Sequence, residues 1–277
     1  MKNVEFMEKE KTKQLLLYLF RQLNAICEKY DIPYYGYAGT ILGAVRHKGL
    51  IPWDDDMDVV IERKYYNRFV EACSKELTGP VTIHTRENDR YFCQEYIKLC
   101  FREDDGGFSD ISIDVFIMDE TDPQKKILRS FQNIVLESLY FIKYYKVTHI
   151  QGERTYTPQN GLKHALLAMG SLMPIDMIDK LHKKIMTLEA GDMTHFVIWG
   201  SHYSYQKVTF EKNMWSGRVY LPFETVEIPV PEHYLEILRQ MYGADYMKLP
   251  PKEKQINHGV RELNCKMVDN EWIRRNC

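Results

Sequence analysis

The sequence predicts an α+β fold: a mixed sheet flanked by helices, with a helix-rich C-terminal half. Three observations carry this expectation. The first 120 residues alternate helix-like and strand-like segments; two of the strand-like segments hold aspartates between apolar residues; and from residue 123 onward helical spacing dominates. The expected organisation is a core over 1–120 and a helix-rich extension over 121–277, packed on the core as one unit.

Within 12–29, Leu16, Leu19, Phe20, Leu23, Ile26 and Cys27 recur at helical spacing, and Asp31 and Pro33 end the run. YYGYA (34–38) reads as a short strand, Gly39-Thr40 as a turn, and ILGAVRHK (41–48) as a short helix stopped at Gly49. A loop, GLIPWDD, leads into a strand at 56–61, and 64–77 reads as a helix. Strands follow at 81–85, 95–101 and 111–118, with Asp104-Asp105-Gly106-Gly107 as a hairpin-like turn between the last two. Beyond these the pattern predicts helices over 123–145 and 161–190, a strand at 195–201, and a helix within 230–251 that ends at Gly243.

With 277 residues, 44% of them hydrophobic, the chain can build a substantial core. Its 37 basic and 39 acidic residues leave a formal charge of −2, which argues against nucleic acid as a partner. No apolar run approaches the roughly 20 residues of a membrane span, and MKNVEFMEKEKTK lacks a secretory apolar core, so the expected compartment is the cytoplasm. Six scattered cysteines show neither C-x-x-C nor metal-like spacing and read as reduced packing residues.

The stretch IPWDDDMDVVIE (51–62) runs four aspartates directly into an apolar strand. Strand alternation puts Asp56 and Asp58 on one face, with Met57, Val59 and Ile61 on the other. Two adjacent carboxylates repel unless a cation compensates them, and an all-oxygen ligand set suits Mg²⁺ or Mn²⁺. A calcium loop does not fit: counted from Asp54, Val59 falls at the glycine position and Tyr65 at the bidentate glutamate position. The competing reading is a solvated acidic turn paired with Arg46 and Lys48.

Asp114, between Ile113 and Val115, is a third candidate ligand if its strand neighbours the first; otherwise it caps a turn or pairs with Lys98. Upstream, Gly39 and Thr40 open a helix, where backbone N–H groups and a hydroxyl suit phosphate oxygens. The order strand, Gly-Thr, helix, Asp-x-Asp strand, later Asp strand is that of the nucleotidyltransferase fold.

YAGTILGAVRHKGLIPWDDDMDVVI (37–61) closely resembles the LicD family, which includes bacterial phosphocholine transferases and is related to fukutin-type proteins. The resemblance extends to SIDVFIMD (112–119), with Ile117 where the family has proline, and more loosely to 221–251. It implies a catalytic core over 1–120 and metal-dependent transfer of a phospho-alcohol from a CDP-linked donor, CDP-choline being favoured. The resemblance also implies an acceptor that is a glycan or lipid-linked glycan of a cell-surface polysaccharide, teichoic acid or lipopolysaccharide, at the inner face of the cell membrane. Ribitol- or glycerol-phosphate transfer, a small-molecule nucleotidyltransferase and a non-catalytic metal or sugar-phosphate binder are the alternatives.

On this reading Asp56, Asp58 and Asp114 bind Mg²⁺ or Mn²⁺, and Asp114 also orients or deprotonates the acceptor hydroxyl. Gly39 and Thr40 face the diphosphate, with Arg46, His47 and Lys48 as cationic contacts; an exposed or structurally bonded role for His47 is at least as well supported. Trp53 stacks on a base or, as the better-supported role, anchors the loop. Asp54 and Asp55 contact ribose, act behind the metal ligands, or hold Arg46. Lys98 binds donor phosphate or pairs with Asp114.

A choline group would favour an aromatic cage, for which Tyr34, Tyr35, Tyr37, Tyr203, Tyr205 and Trp215 are candidates, as they equally are for ordinary packing. Residues 161–175 and the Arg274-Arg275 tail are candidates for peripheral membrane contact, with core helix and solvated tail the better-supported roles.

Overall fold

The structure, a computed structural model, describes residues 7–152, 161–188, 193–200, 203–255 and 259–277. They form two compact units. The first combines the chain up to His84 with Tyr96–Met118 and Phe210–Cys277; the second combines Thr85–Glu95 with Asp119–Thr209.

In the first unit, α1 (Lys9–Lys29) buries Leu15, Leu16, Leu19, Phe20 and Leu23 on one stripe, as its spacing predicts. Next come β1 (Tyr34–Gly36), α2 (Ala38–His47), β2 (Met57–Glu62), α3 (Tyr66–Glu76), β3 (Val81–His84), β4 (Ile97–Arg102) and β5 (Phe108–Thr121). These strands order β1-β2-β5-β4-β3. β1 and β2 are antiparallel, β2 and β5 parallel, and β4 antiparallel to both β5 and β3, which makes the sheet mixed.

Register follows from burial. Met57, Val59 and Ile61 are at most 1% exposed, and burying each contributes about 1.5–3 kcal/mol. A one-residue slip would exchange them for Asp58 and Val60, so the apolar face fixes which way the aspartates point.

In the second unit β5 continues to Thr121, followed by α4 (Lys126–Gln151), α5 (Gly161–Gly170), α6 (Ile175–Met186) and β6 (His195–Ile198). β6 pairs with β5 and with β7 (Thr209–Glu211). The helix expected over 161–190 is divided, because Pro174 has no N–H to continue α5 and caps α6 instead. Residues 189–190 of that expectation, and residue 201 of the expected strand, lie outside the described residues.

The chain then returns to the first unit with β8 (Val219–Phe223), β9 (Val226–Val230), α7 (Tyr234–Tyr242) and α8 (Asn270–Asn276). β9 packs on β1, while β8 and α7 pack on α2, and Phe223, Ile228, Val230 and Leu238 join the same core as Met57 and Val59. Residues 210–277 therefore belong with the N-terminal sheet, and a cut at residue 120 is not where the units divide. No helix among the described residues is long and apolar enough to cross a membrane. The six cysteines are free, four of them buried, consistent with packing roles.

Candidate active site

Asp58 on β2 and Asp114 on β5 are directly paired positions of two neighbouring parallel strands, and Lys98 on β4 faces Asp114 from the other side. Asp56 immediately precedes β2. Asp56, Asp58 and Asp114 each offer a carboxylate oxygen within 4.8 Å of the others. Octahedral Mg²⁺ at about 2.1 Å from its ligands spaces them roughly 3–4 Å apart, so small side-chain movements suffice and this all-oxygen donor set fits the ion. Asp54, Asp55 and Asp56 form a second such group on the loop, overlapping the first at Asp56.

The Asp58 backbone is held on both sides. Its N–H donates to Thr40 Oγ1 at 2.7 Å, and its carbonyl accepts from the Tyr37 N–H at 2.9 Å. Gly39-Thr40 is thus the first turn of α2, not a turn ahead of it, and the buried Thr40 hydroxyl positions the aspartate strand. The chain enters the helix through Ala38 at φ 44°, a left-handed conformation that costs a β-carbon-bearing residue about 1 kcal/mol. Gly39 keeps the approach open: a Cβ there would lie 2.8 Å from Asp54 Oδ2 and 3.9 Å from Asp58 Oδ2.

Asp114 is 4% exposed and is compensated. Its Oδ1 accepts from Ser112 Oγ at 2.8 Å and lies 3.1 Å from Lys98 Nζ, which donates in turn to Ser112 Oγ at 3.0 Å. The Tyr96 phenol also bonds to Asp114. Burial, then the Asp114 charge and this hydrogen bond, raise the Tyr96 pKa above its ordinary value. Burial pulls Lys98 down, but Asp114 and Asp56 outweigh it and its pKa is raised overall.

The other two carboxylates are under-compensated. Burial, reinforced by Asp114, Asp54 and Asp55, pushes Asp56 up to about 7. Burial, Asp56 and Asp114 hold Asp58 well above the ordinary carboxylate range, and Lys98 opposes both shifts without cancelling them. Negative charge here exceeds what the chain's own cation balances, the electrostatic signature of a cation site.

The remaining candidates make contacts within the chain. Arg46 spends its guanidinium on the carbonyls of Tyr246 (3.0 Å) and Lys248 (3.4 Å), donates to His47 Nε2 at 2.9 Å, and lies 5.8 Å over the Trp53 ring. His47 meets the same ring edge-on at 6.0 Å, and burial with the Arg46 charge lowers its pKa. Arg46, His47 and Trp53 therefore brace the loop that carries the aspartates. Lys48 is exposed and caps α2 in the left-handed conformation. Among the aromatic candidates, Tyr34 is buried with its hydroxyl on Asn24, and Tyr35 and Tyr37 pack against Trp215.

Ser112 and Tyr96 are site residues that the sequence reading missed. Each stands two positions before a recognised one, Asp114 or Lys98, and strand periodicity puts such pairs on one face.

A sheet that brings aspartates from two adjacent parallel strands beside the first turn of a helix defines a nucleotidyltransferase-type domain. Residues 31–127 match the family model for the LicD/FKTN/FKRP nucleotidyltransferase domain. The chain is 30% identical over 251 residues, 86% of its length and 91% of the relative's, to the lipopolysaccharide cholinephosphotransferase LicD of Haemophilus influenzae. It is also 48% identical over 50 residues to an uncharacterized protein of Rickettsia prowazekii, covering 18% of this chain and 19% of that one. The protein belongs to the LicD family.

Proposed function

We propose that the protein is a LicD-type phosphotransferase that moves phosphocholine from CDP-choline to a glycan hydroxyl at the cytoplasmic face of a membrane. The observation that carries this reading is the under-compensated Asp56/Asp58/Asp114 cluster, in a chain similar over most of its length to a cholinephosphotransferase. In the reaction, the acceptor oxygen forms a bond to the choline-bearing phosphorus as the bond to CMP breaks, and the acceptor proton leaves to a base.

Asp56, Asp58 and Asp114 would hold Mg²⁺ or Mn²⁺, which supplies charge neutralisation on the diphosphate when bound. Asp114, fixed by Ser112, Lys98 and Tyr96, orients the acceptor hydroxyl or takes its proton. The first turn of α2, kept open by Gly39, offers backbone N–H groups to phosphate oxygens. Thr40 and the Tyr37 N–H set the position of Asp58. Asp54 and Asp55 extend the acidic loop and act on the metal ligands through space.

The test is CMP release from CDP-choline, CDP-ethanolamine, CDP-ribitol and CDP-glycerol with Mg²⁺ or Mn²⁺, using Asp56→Ala/Asp58→Ala as the blank. Metal-dependent release from CDP-choline above the blank is expected. Release from CDP-ribitol or CDP-glycerol alone would replace the choline reading with polyol-phosphate transfer. Release from none of them, with or without added glycans, would overturn it.

A further inference from the structure

The second unit contains a cavity of about 420 Å³, within the roughly 300–1,000 Å³ typical of small-molecule sites. Five aromatic residues line it: Tyr140, Phe141, Trp199, Tyr203 and Tyr205. Trp199 and Tyr205 lie 5.7 Å apart with rings tilted by 33°, and Tyr205 is fixed further by a 3.2 Å hydrogen bond between its hydroxyl and Thr121. Polar residues of the lining include Gln94 and Asn133, which carry carboxamides, Glu95 and Glu137, which carry carboxylates, and Ser204.

The wall is built at an electrostatic cost. Glu95, with its side chain 7% exposed, contacts the buried His182 and lies 3.8 Å from Arg86. Arg86 also meets Asp179 at 3.2 Å, and Asp179 takes two hydrogen bonds, at 2.8 and 2.9 Å, from the fully buried Lys143. Burying so many charges stabilises little by itself, but it holds the cavity-lining Glu95 in one place. Arg86 donates as well to the carbonyls of Cys93 and Gln94, fixing the adjoining backbone.

Two features select the ligand. Among the described residues no lysine or arginine lines the cavity, so a phosphate-bearing ligand would meet only carboxylates. Rings, carboxylates and carboxamides stand together in the lining, and a trimethylammonium group suits the rings and the carboxylates but has no acceptor atom for the carboxamides. A neutral sugar uses all of them. Its hydroxyls donate to carboxylates and accept from carboxamides, while its C–H face packs on the electron-rich ring faces.

We propose that this cavity is a saccharide-binding site that takes one or two neutral sugar units. Identifying those sugars as part of the acceptor glycan rests on the transferase reading; the binding itself does not.

The experiment is saturation-transfer NMR of the full chain with neutral mono- and disaccharides of glucose, galactose and N-acetylglucosamine, and separately with choline chloride. Variants are Asn133→Ala and Glu137→Gln, both at exposed positions, and Trp199→Phe, which keeps an aromatic ring but shrinks the stacking face and removes the indole N–H. CMP release from CDP-choline without acceptor is measured in parallel.

Expected are saccharide signals in the wild type, at least fivefold weaker affinity in the variants, and unchanged CMP release. Choline binding that the variants abolish, without saccharide binding, would overturn the proposal, as would the absence of binding by every probe or saccharide binding indifferent to all three substitutions. Saccharide binding lost in the variants, in a protein that releases no CMP from any CDP-alcohol, would support this site while the transferase reading fails.

Discussion

Neutralising Asp56 should stabilise the metal-free protein while removing its response to Mg²⁺. Moving a carboxylate from an ordinary 3.8 to about 7 on folding corresponds to about 4 kcal/mol, at about 1.4 kcal/mol per tenfold change. The direction follows from proton linkage. Below pH 3.8 Asp56 is protonated in both folded and unfolded states and costs nothing. Between 3.8 and about 7 the folded state retains a proton that the unfolded state has released, so metal-free stability falls as pH rises, and above about 7 the loss is complete.

Asp56→Asn removes that loss. With EDTA at pH 8 the variant should gain about 2–4 kcal/mol over wild type, allowing for relaxation of the loop, and at pH 4 the two should nearly coincide. Saturating the wild type with Mg²⁺ to 100 times its Kd should add about 2.7 kcal/mol, and the variant should gain little. Urea denaturation followed by circular dichroism at pH 4, 6 and 8, with EDTA and with Mg²⁺, measures all of these. A variant less stable than wild type by the same amount at every pH would refute the reasoning, because the Asp56 carboxylate would then be held by favourable contacts and not by repelled neighbours.

Three further substitutions test how the chain positions its charges. Gly39→Ala should lower CMP release about tenfold with under about 1 kcal/mol change in stability, since its Cβ would meet Asp54 Oδ2 at 2.8 Å; unchanged turnover would remove the requirement for an open approach. Lys98→Met should cost about 3 kcal/mol in urea denaturation, because it leaves Asp114 buried among carboxylates with only Ser112 and Tyr96 to compensate it, and Mg²⁺ should recover part of that loss. Thr40→Val should destabilise by about 1–3 kcal/mol by stranding the Asp58 N–H, and Thr40→Ser, which keeps the hydroxyl, should cost less than half as much.

Much of the site can be read locally. Alternation over Met57–Glu62 separates an apolar face from an acidic one, and that separation depends only on neighbours in the chain. Asp114 stands out because a carboxylate inside an apolar strand needs a partner. The β8–β9 hairpin does not announce itself: Pro222 and Pro229 count against strands, and the Glu224-Thr225 connection lacks the Asn-Gly signature. A two-stranded ribbon tolerates those prolines at positions that need no ladder donor, and Phe223 and Ile228 are buried in the core.

The sequence by itself determined the aspartate pattern, the apolar faces that orient it and the family to which the chain belongs. Only the tertiary structure decided that β2 and β5 lie side by side with Asp58 opposite Asp114, that Lys98, Ser112 and Tyr96 gather on Asp114, and that Arg46 turns to carbonyls 200 and 202 residues away. Side-chain periodicity is a property of a few consecutive residues, whereas strand neighbours and the final partner of a long cationic side chain are set by the packing of the whole unit, which no local stretch encodes.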